Sequence, residues 1–194
     1  MNTPAHLIFG LAAFGKPGMP LVILAALIGA LLPDLSLYLL AGFELFIRGT
    51  DPNIVFGEMY FSDTWQTVFA IDNSFIVWGV VLGIGLMLRS APLVALAGAA
   101  LLHIAFDFPL HNDDGRAHFW PFSDWVFASP VSYWDRDHYA GIVAPIEMVV
   151  SLALCIWCFT RFTSWQMRAL IVGLAAMELL PGVMWLFFFD AAGT

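Results

Sequence analysis

The sequence predicts an all-α fold, a polytopic transmembrane helical bundle that forms a single domain over 1–194. The composition is the first reason, because 61% of the residues are hydrophobic and 11% are charged, whereas a soluble domain carries about 25% charged residues. The second reason is the mean hydropathy of +0.85. We therefore expect a lipid bilayer around the protein, and the net charge of −8 excludes nucleic acid, which requires a basic surface.

The third reason is a series of apolar stretches that approach the roughly 20 residues needed to cross a bilayer as a helix. The first stretch, 5–15, is too short to cross at roughly 1.5 Å per residue, so it predicts an N-terminal half-helix. About five spanning helices follow, at 21–43, 73–88, 92–110, 140–160 and 168–189. The two long connections, 44–72 and 111–139, are expected to be loops at the membrane interface.

Positive charge predicts the orientation of this bundle. Successive spanning helices cross the bilayer in alternating directions. Both long connections therefore lie on one side of the membrane, and the short connections lie on the other. The short side carries basic residues and no acid: Lys16, Arg89, Arg161 and Arg168. Because Lys and Arg in short loops mark the cytoplasm, we expect a multi-pass protein of the bacterial inner membrane, with the long loops in the periplasm.

The second long loop is rich in aromatic residues, which favour the headgroup level of a bilayer. They are Phe119, Trp120, Phe122, Trp125, Phe127, Tyr133, Trp134 and Tyr139. Two interpretations stand side by side. The loop is either a lid that lies on the membrane surface or an aromatic belt without a gating role.

Ionisable residues inside the apolar stretches are the strongest functional signal. Each costs at least roughly 2.5–3.5 kcal/mol in hydrocarbon. His103 and Asp107 are four residues apart and share one helix face, and Asp34 follows Pro33, where a helix kinks. The predicted topology brings three further residues to the same layer below the outer interface: His6, Asp72 and Glu147.

A metal ion would explain this convergence. The predicted ligands are His6, Asp34, Asp72, His103 and Asp107, and imidazole with carboxylate suits Zn²⁺, with Mn²⁺ or Fe²⁺ as alternatives. A metal ion can lower the pKa of its bound water to about 7, and Glu147 or Asp34 could act as the catalytic base. The competing interpretations are a polar clamp between helices for His103 and Asp107, and helix caps for Asp34 and Asp72.

Two further groups of residues have weaker signals. His111, Arg116 and His118 follow the predicted ligands and could line a substrate mouth, where a cation would meet a phosphate oxygen; the alternative is a solvated turn. Cys155 and Cys158 form a Cys-x-x-Cys inside an apolar helix, which favours packing over redox chemistry because no second pair accompanies it.

Several blocks resemble the membrane-bound metal-dependent hydrolase family, whose best-known bacterial members are LexA-regulated. The blocks are Thr3-Pro4-Ala5-His6-Leu7, Leu32-Pro33-Asp34-Leu35, His103-x-x-x-Asp107 and Phe119-Trp120-Pro121. The resemblance covers about residues 3–125. It implies a polytopic, metal-dependent enzyme with distant similarity to zinc phospholipases C. Some similar proteins carry a label from cobalamin biosynthesis, but no residues here indicate a corrin site.

The chain departs from the family pattern in two places. Ser36 stands where the family has a second acid, and the region 68–74 lacks the family's His-Arg-x-x-x-His-Ser block. Three outcomes are compatible with this. A single metal binds, Asp72 or Asn73 replaces a missing ligand, or metal binding persists without catalysis.

The functional hypothesis is an integral membrane hydrolase that acts on an ester or phosphoester, with a lipid headgroup as the natural substrate. The rival hypotheses are a carrier for a metal ion or proton that uses the same residues, and a degenerate scaffold. A carrier needs a polar path to both sides of the membrane. The inner halves of the predicted helices are almost purely apolar, which favours the enzyme.

Overall fold

The computed structural model describes residues 1–188 of the chain, with side chains as far as residue 180. Within this part the fold is all-helical and contains no β-strand. The helices are α1 (Thr3–Phe14), α2 (Pro20–Gly42), α3 (Pro52–Ile54), α4 (Asp63–Asp72), α5 (Phe75–Met87), α6 (Ala91–Asp107), α7 (Ala140–Arg161) and α8 (Trp165–Phe188). The predicted fold class is therefore confirmed at the level of an all-helical protein.

Three helical stretches of the described chain are long and apolar enough to cross a membrane: Pro20–Arg48, Asp63–Met87 and Ala140–Arg161. They fit a protein that is embedded in lipid. Helix α6 has 17 residues, a length of about 26 Å against a hydrocarbon core of about 30 Å. Five spans therefore remain a prediction, and the end of the span predicted at 168–189 lies outside the described residues.

The connection predicted as a loop at 44–72 is largely helical, and this part of the prediction is wrong. Helix α2 continues into a π-helical turn, Phe43–Arg48, and a second π-helical turn, Val55–Met59, follows α3. Helix α4 then forms the first part of the stretch Asp63–Met87. Polar residues lower the mean hydropathy of α4, so hydropathy did not predict it as a helix, although the face that it turns to the core is apolar.

The short helix α1 corresponds to the predicted half-helix and lies at the centre of the bundle. It packs against α2, α6, α7 and α8. The side chain of Asn2 caps its first turn by accepting a hydrogen bond from the Ala5 N–H, and the helix ends before Gly15. Because α1 is apolar on all sides, it can be enclosed by other helices. This position carries His6 into the interior.

Glycines allow the helices around α1 to approach closely. A Cβ at Gly29 would lie 2.0 Å from the Leu96 carbonyl oxygen, and a Cβ at Gly10 would lie 2.7 Å from the Ala30 Cβ. Small residues at helix crossings are the usual means of close packing in membranes. The contact of α2 with α6 brings Asp34 near His103.

The two cysteines lie in an apolar core between α1, α7 and α8. Both are free thiols and both are buried. Their cluster includes Ile8 and Leu11 of α1 and Ile171 of α8. The packing interpretation of Cys155 and Cys158 fits this environment.

Candidate metal centre

Three predicted ligands meet where α1 and α6 cross. The Nε2 atom of His6 lies 3.0 Å from Asp107 Oδ1, and Nε2 of His103 lies 3.1 Å from Asp107 Oδ2. The two imidazole rings stack, with centroids 3.5 Å apart and planes 10° from parallel. One carboxylate therefore lies between two imidazoles, and the ligand atoms of the three residues lie within 4.8 Å of one another.

A backbone contact orients the His103 ring. Its Nδ1 lies 2.7 Å from the Ala30 carbonyl oxygen on α2. A carbonyl oxygen only accepts hydrogen bonds, so Nδ1 carries the proton and donates a hydrogen bond to Ala30. The neutral ring then has its lone pair on Nε2, which faces Asp107. Such a second contact is the common way in which proteins orient a histidine that binds a metal.

The three side chains are buried, and in the described part of the chain one nitrogen atom of each imidazole lacks a hydrogen-bond partner. His6 and His103 are each 2% exposed and Asp107 is 5% exposed. Among the described residues, neither Nε2 atom has a hydrogen-bond partner of normal geometry. A buried polar atom without a partner costs about 1–3 kcal/mol and calls for an explanation. The donor set fits a metal ion, which would bind both nitrogens and the carboxylate.

Asp34 lies at the edge of this group. Its Oδ1 is 3.7 Å from His103 Nε2, while Tyr38 donates a hydrogen bond to its Oδ2 at 3.3 Å. The Tyr38 hydroxyl also contacts Thr3 Oγ1. Sequence analysis missed Tyr38, whose spacing of four residues from Asp34 could have indicated a shared helix face. The Met1 amino group completes the surroundings at 2.5 Å from Asp107 Oδ1.

Asp72 is not part of this group within the described part of the chain. It is half-buried at the end of α4, with Ser36 as its side-chain neighbour. The adjacent Asn73 has a packing role, because its Nδ2 donates to the carbonyl oxygens of Pro33 at 2.9 Å and Phe69 at 3.0 Å. These bonds hold the α4–α5 junction against the Pro33 region of α2.

Glu147 lies beside the N-terminal segment, away from the ligand atoms. Its Oε1 accepts a hydrogen bond from the Asn2 N–H at 2.9 Å. Its acidic neighbour is Glu178 of α8, which sequence analysis left unassigned. The role predicted for Glu147 as a base therefore has no direct contact with the candidate metal centre to support it.

His111 links the centre to the loop that follows α6. Its Nε2 lies 3.6 Å from Asp107 Oδ2 and its Nδ1 lies 2.8 Å from Asp114 Oδ2. Burial would lower the pKa of His111, but the two carboxylates outweigh burial and raise it to about 9. His111 lines the cavity that opens onto the centre, and its role at a substrate mouth stays a prediction.

Arg116 lies beside two aromatic rings. Its guanidinium carbon lies 4.3 Å from the Phe69 ring centroid and 4.7 Å from that of Tyr60. Its Nη1 is buried and has no hydrogen-bond partner in the portion of the chain that is described. The two rings hold the guanidinium in place at the edge of a cavity that Arg116 lines.

His118 has a structural role instead of the predicted role at the mouth. It is 4% exposed, its Nδ1 donates to the Asn73 carbonyl oxygen at 2.8 Å, and its ring packs beside Phe75 and Phe108. Burial lowers the pKa of His118, and the hydrogen bond to Asn73 offsets this in part. The aromatic loop made this placement unpredictable, because it folds back onto α5 and α6.

A cavity of about 630 Å³ opens onto the centre. It reaches Asp107 and Asp34 on one side and Arg116 on another. The other lining residues are Met1, Asn2, Thr3, Leu37, Tyr38, Phe56, Tyr60, Phe61, His111, Asp113, Asp114, Tyr133 and Trp134. This volume is within the usual range for small-molecule sites, about 300–1,000 Å³.

The fold and site together define a class: an all-helical protein with membrane-length helices and a buried His-His-Asp group that could bind a metal ion. No family model, no curated protein and no solved structure matches the chain.

Proposed function

We propose that this chain is an integral membrane, metal-dependent hydrolase that cleaves a phosphoester in a lipid headgroup. One observation carries the proposal. The unpartnered Nε2 atoms of His6 and His103 converge with the Asp107 carboxylate beside a cavity that Arg116 also lines. A positively charged group and a set of metal ligands in one cavity suit a phosphate.

Two imidazoles and a carboxylate favour Zn²⁺, with Mn²⁺ or Fe²⁺ as alternatives. His6, His103 and Asp107 would hold the ion, with Asp34 close enough to join them. When bound, the metal supplies a Lewis acid for phosphoester hydrolysis. Because Asp107 and Asp34 line the cavity, the substrate can approach from that side.

The other residues of the cavity position the substrate and its water. Arg116 binds phosphate oxygens through the guanidinium edge that the Phe69 and Tyr60 rings leave open. Asp34 is the preferred base, because it lines the cavity and Tyr38 orients its carboxylate. His111 holds Asp107 in place from the loop side.

The resemblance to the membrane-bound metal-dependent hydrolases supports this proposal. Three of its blocks contribute His6, Asp34, His103 and Asp107, the residues that approach one another here. Membership in that family is part of the proposal. Because Asn73 packs against α2 in the region where the family block is missing, we propose a single metal.

The proposed placement is the bacterial inner membrane, with the cavity facing the periplasm. The loop 111–139 would then cover the site from the membrane surface. Phe127 of this loop stacks on Phe108 at the end of α6 at 5.0 Å, and within the loop Trp125 stacks on Phe119 at 6.0 Å. This packing supports a lid that is anchored at the mouth of the site.

A carrier is the less favoured alternative. Beyond His6, α1 continues with Ile8, Leu11 and Ala12, which are buried in the apolar cluster with α7 and α8. A transported ion would have to pass this cluster without polar ligands. The enzyme hypothesis requires access from one side of the membrane.

Hydrolysis of phospholipids by the zinc-loaded protein in detergent micelles tests the proposal. We expect wild-type protein to release a phosphorylated or phosphate product, His103→Ala to release none, and Arg116→Ala to raise KM. Arg48→Ala is the matched control, since Arg48 pairs with Glu44 outside the cavity. Equal product release by wild type, His103→Ala and Arg116→Ala would contradict the proposal.

A further inference from the structure

A second cavity lies beside the first, with a volume of about 720 Å³. Glu178 and Arg136 line it, and small residues of α7 form part of its wall. Asn2, Tyr133 and Trp134 line both cavities. A ligand in the second cavity would therefore be a neighbour of a substrate in the first.

Glu178 lines this cavity and belongs to a buried cluster of oxygen atoms whose other members, Glu147 and Ser151, lie behind the cavity wall. Glu178 is 3% exposed, Glu147 is 7% exposed and Ser151 is fully buried. An Oε2 atom on each glutamate and the Ser151 hydroxyl have no hydrogen-bond partner in the described residues. Glu147 and Glu178 interact electrostatically, and Asn2 and Ser151 are the polar side chains beside Glu178. The Met1 amino group also acts electrostatically on both glutamates, but its hydrogen bond goes to Asp107.

Two neighbouring carboxylates in an apolar bundle both stay charged only beside a compensating cation, and without one a carboxylate takes up a proton. The size of the cavity favours an organic cation over a bare ion, because about 720 Å³ is in the range of small-molecule sites. The aromatic rings of Tyr133 and Trp134 would add cation–π attraction. A primary ammonium group also brings N–H donors, which can serve the Glu178 carboxylate that lines the cavity.

We propose that the second cavity binds a primary ammonium group, of the kind carried by an ethanolamine-type lipid headgroup. Arg136 on the same cavity suits the phosphate that accompanies such a headgroup. A quaternary ammonium group has no N–H and would leave the Glu178 carboxylate without a donor. That the bound lipid is also the substrate rests on the proposed function, whereas binding itself requires no metal.

Native mass spectrometry of the detergent-purified protein tests this site. The probes are phosphatidylethanolamine, phosphatidylcholine and phosphatidylglycerol with identical acyl chains. We expect wild-type protein to retain phosphatidylethanolamine roughly tenfold better than the other two, as the loss of a charged hydrogen bond implies. Soluble ethanolamine should displace it if the amine is the recognised group. Equal retention of the three lipids by wild type would overturn the proposal without any variant.

Variants that remove one carboxylate at a time distinguish binding of the amine at this site from a general effect of the negative charge of the protein. Glu178→Gln should abolish the preference and Glu147→Gln should weaken it. Glu44→Gln is the control, because Glu44 is equally buried but its oxygens are paired with Arg48 and Thr50. A preference that persists in Glu178→Gln would refute the site.

His103→Ala distinguishes this inference from the proposed function. The variant should keep the lipid preference even where hydrolysis is absent. If the wild type keeps the lipid preference but shows no hydrolysis, the proposed hydrolase function is contradicted and the ammonium site is supported. If the wild type hydrolyses lipid but shows no headgroup preference, the ammonium site is contradicted and the hydrolase function is supported.

Discussion

Asp107 is the residue on which the candidate centre depends, because both imidazoles contact its carboxylate. His111 and the Met1 amino group contact the same carboxylate. Asp34, in contrast, contacts one imidazole at 3.7 Å. The two aspartates should therefore differ in their contribution to metal affinity.

We predict that Asp107→Asn abolishes measurable zinc binding, whereas Asp34→Asn weakens it by roughly 10–100-fold, the usual effect of altering a supporting group. Competition with a chromogenic chelator measures both affinities. A greater loss in Asp34→Asn than in Asp107→Asn would contradict the assignment of the three ligands.

His118 predicts a pH dependence of stability. Burial lowers its pKa in the folded protein, so the unfolded state, with an ordinary pKa of about 6.5, binds the proton more readily. The contribution of the neutral His118 ring to the free energy of unfolding is complete above about pH 6.5. It is lost as the pH falls through the lower pKa of the folded state. Thermal unfolding in detergent as a function of pH measures this loss.

His118→Asn is the informative variant, because an asparagine amide can still donate to the Asn73 carbonyl but does not titrate. We expect its unfolding temperature to fall less steeply between pH 6.5 and acid pH. His138→Asn is the control, since His138 is partly exposed and pairs with Asp135. The same acid sensitivity in wild type and His118→Asn would disprove the role of His118.

At the scale of single residues, the sequence predicted the convergence of His6, His103 and Asp107 better than it predicted the surroundings of the cavity. Spacing of four residues placed His103 and Asp107 on one face, and their polarity inside apolar helices singled them out. The roles of His118 and Asn73 depend on how the loop folds back, which no local pattern specifies. Arg116 was assigned to the mouth, but its position on the Phe69 ring required the fold.

The crossing of α2 and α6 is the element-level feature that assembles the centre. It places Ala30 against His103 and Asp34 near the same ring. Gly29 permits this crossing, since an added Cβ would lie 2.0 Å from the Leu96 carbonyl oxygen. The helices would have to separate to accommodate a side chain.

We predict that Gly29→Ala lowers the free energy of unfolding by about 1–3 kcal/mol, the cost of overpacking, and also weakens metal binding. Gly83→Ala is the control on α5, where no described atom lies within 4 Å of an added Cβ; there, helix propensity favours alanine by up to about 1 kcal/mol. Thermal unfolding and zinc affinity check both variants. Equal effects of the two substitutions would contradict the packing argument.

The elements were predictable where they are apolar and less so where they are amphipathic. Hydropathy located α1, α2, α6 and α7 within a few residues. It missed α4, because Asp63, Gln66 and Thr67 interrupt the apolar run while Trp65 and Phe69 form its buried face. A helical period of apolar residues was the signal that could have revealed α4.

At the scale of the whole molecule, composition was sufficient for an all-helical protein that fits a membrane. The number of spans depends on how short helices such as α1 and α6 sit within the bundle, and length alone does not determine it. The central position of α1 was not predictable from its length either. It follows from the enclosure of an apolar helix by four others.

The metal content of the purified protein shows whether the His-His-Asp group binds an ion. Elemental mass spectrometry of the detergent-purified protein should find about one equivalent of a transition metal, as expected for one His-His-Asp centre. His103→Ala and Asp107→Ala should lose it, and His138→Ala, which alters a histidine outside the group, should keep it. Wild-type protein that is free of metal, and as well folded as the variants, would contradict the account and leave the cluster as a polar contact between helices.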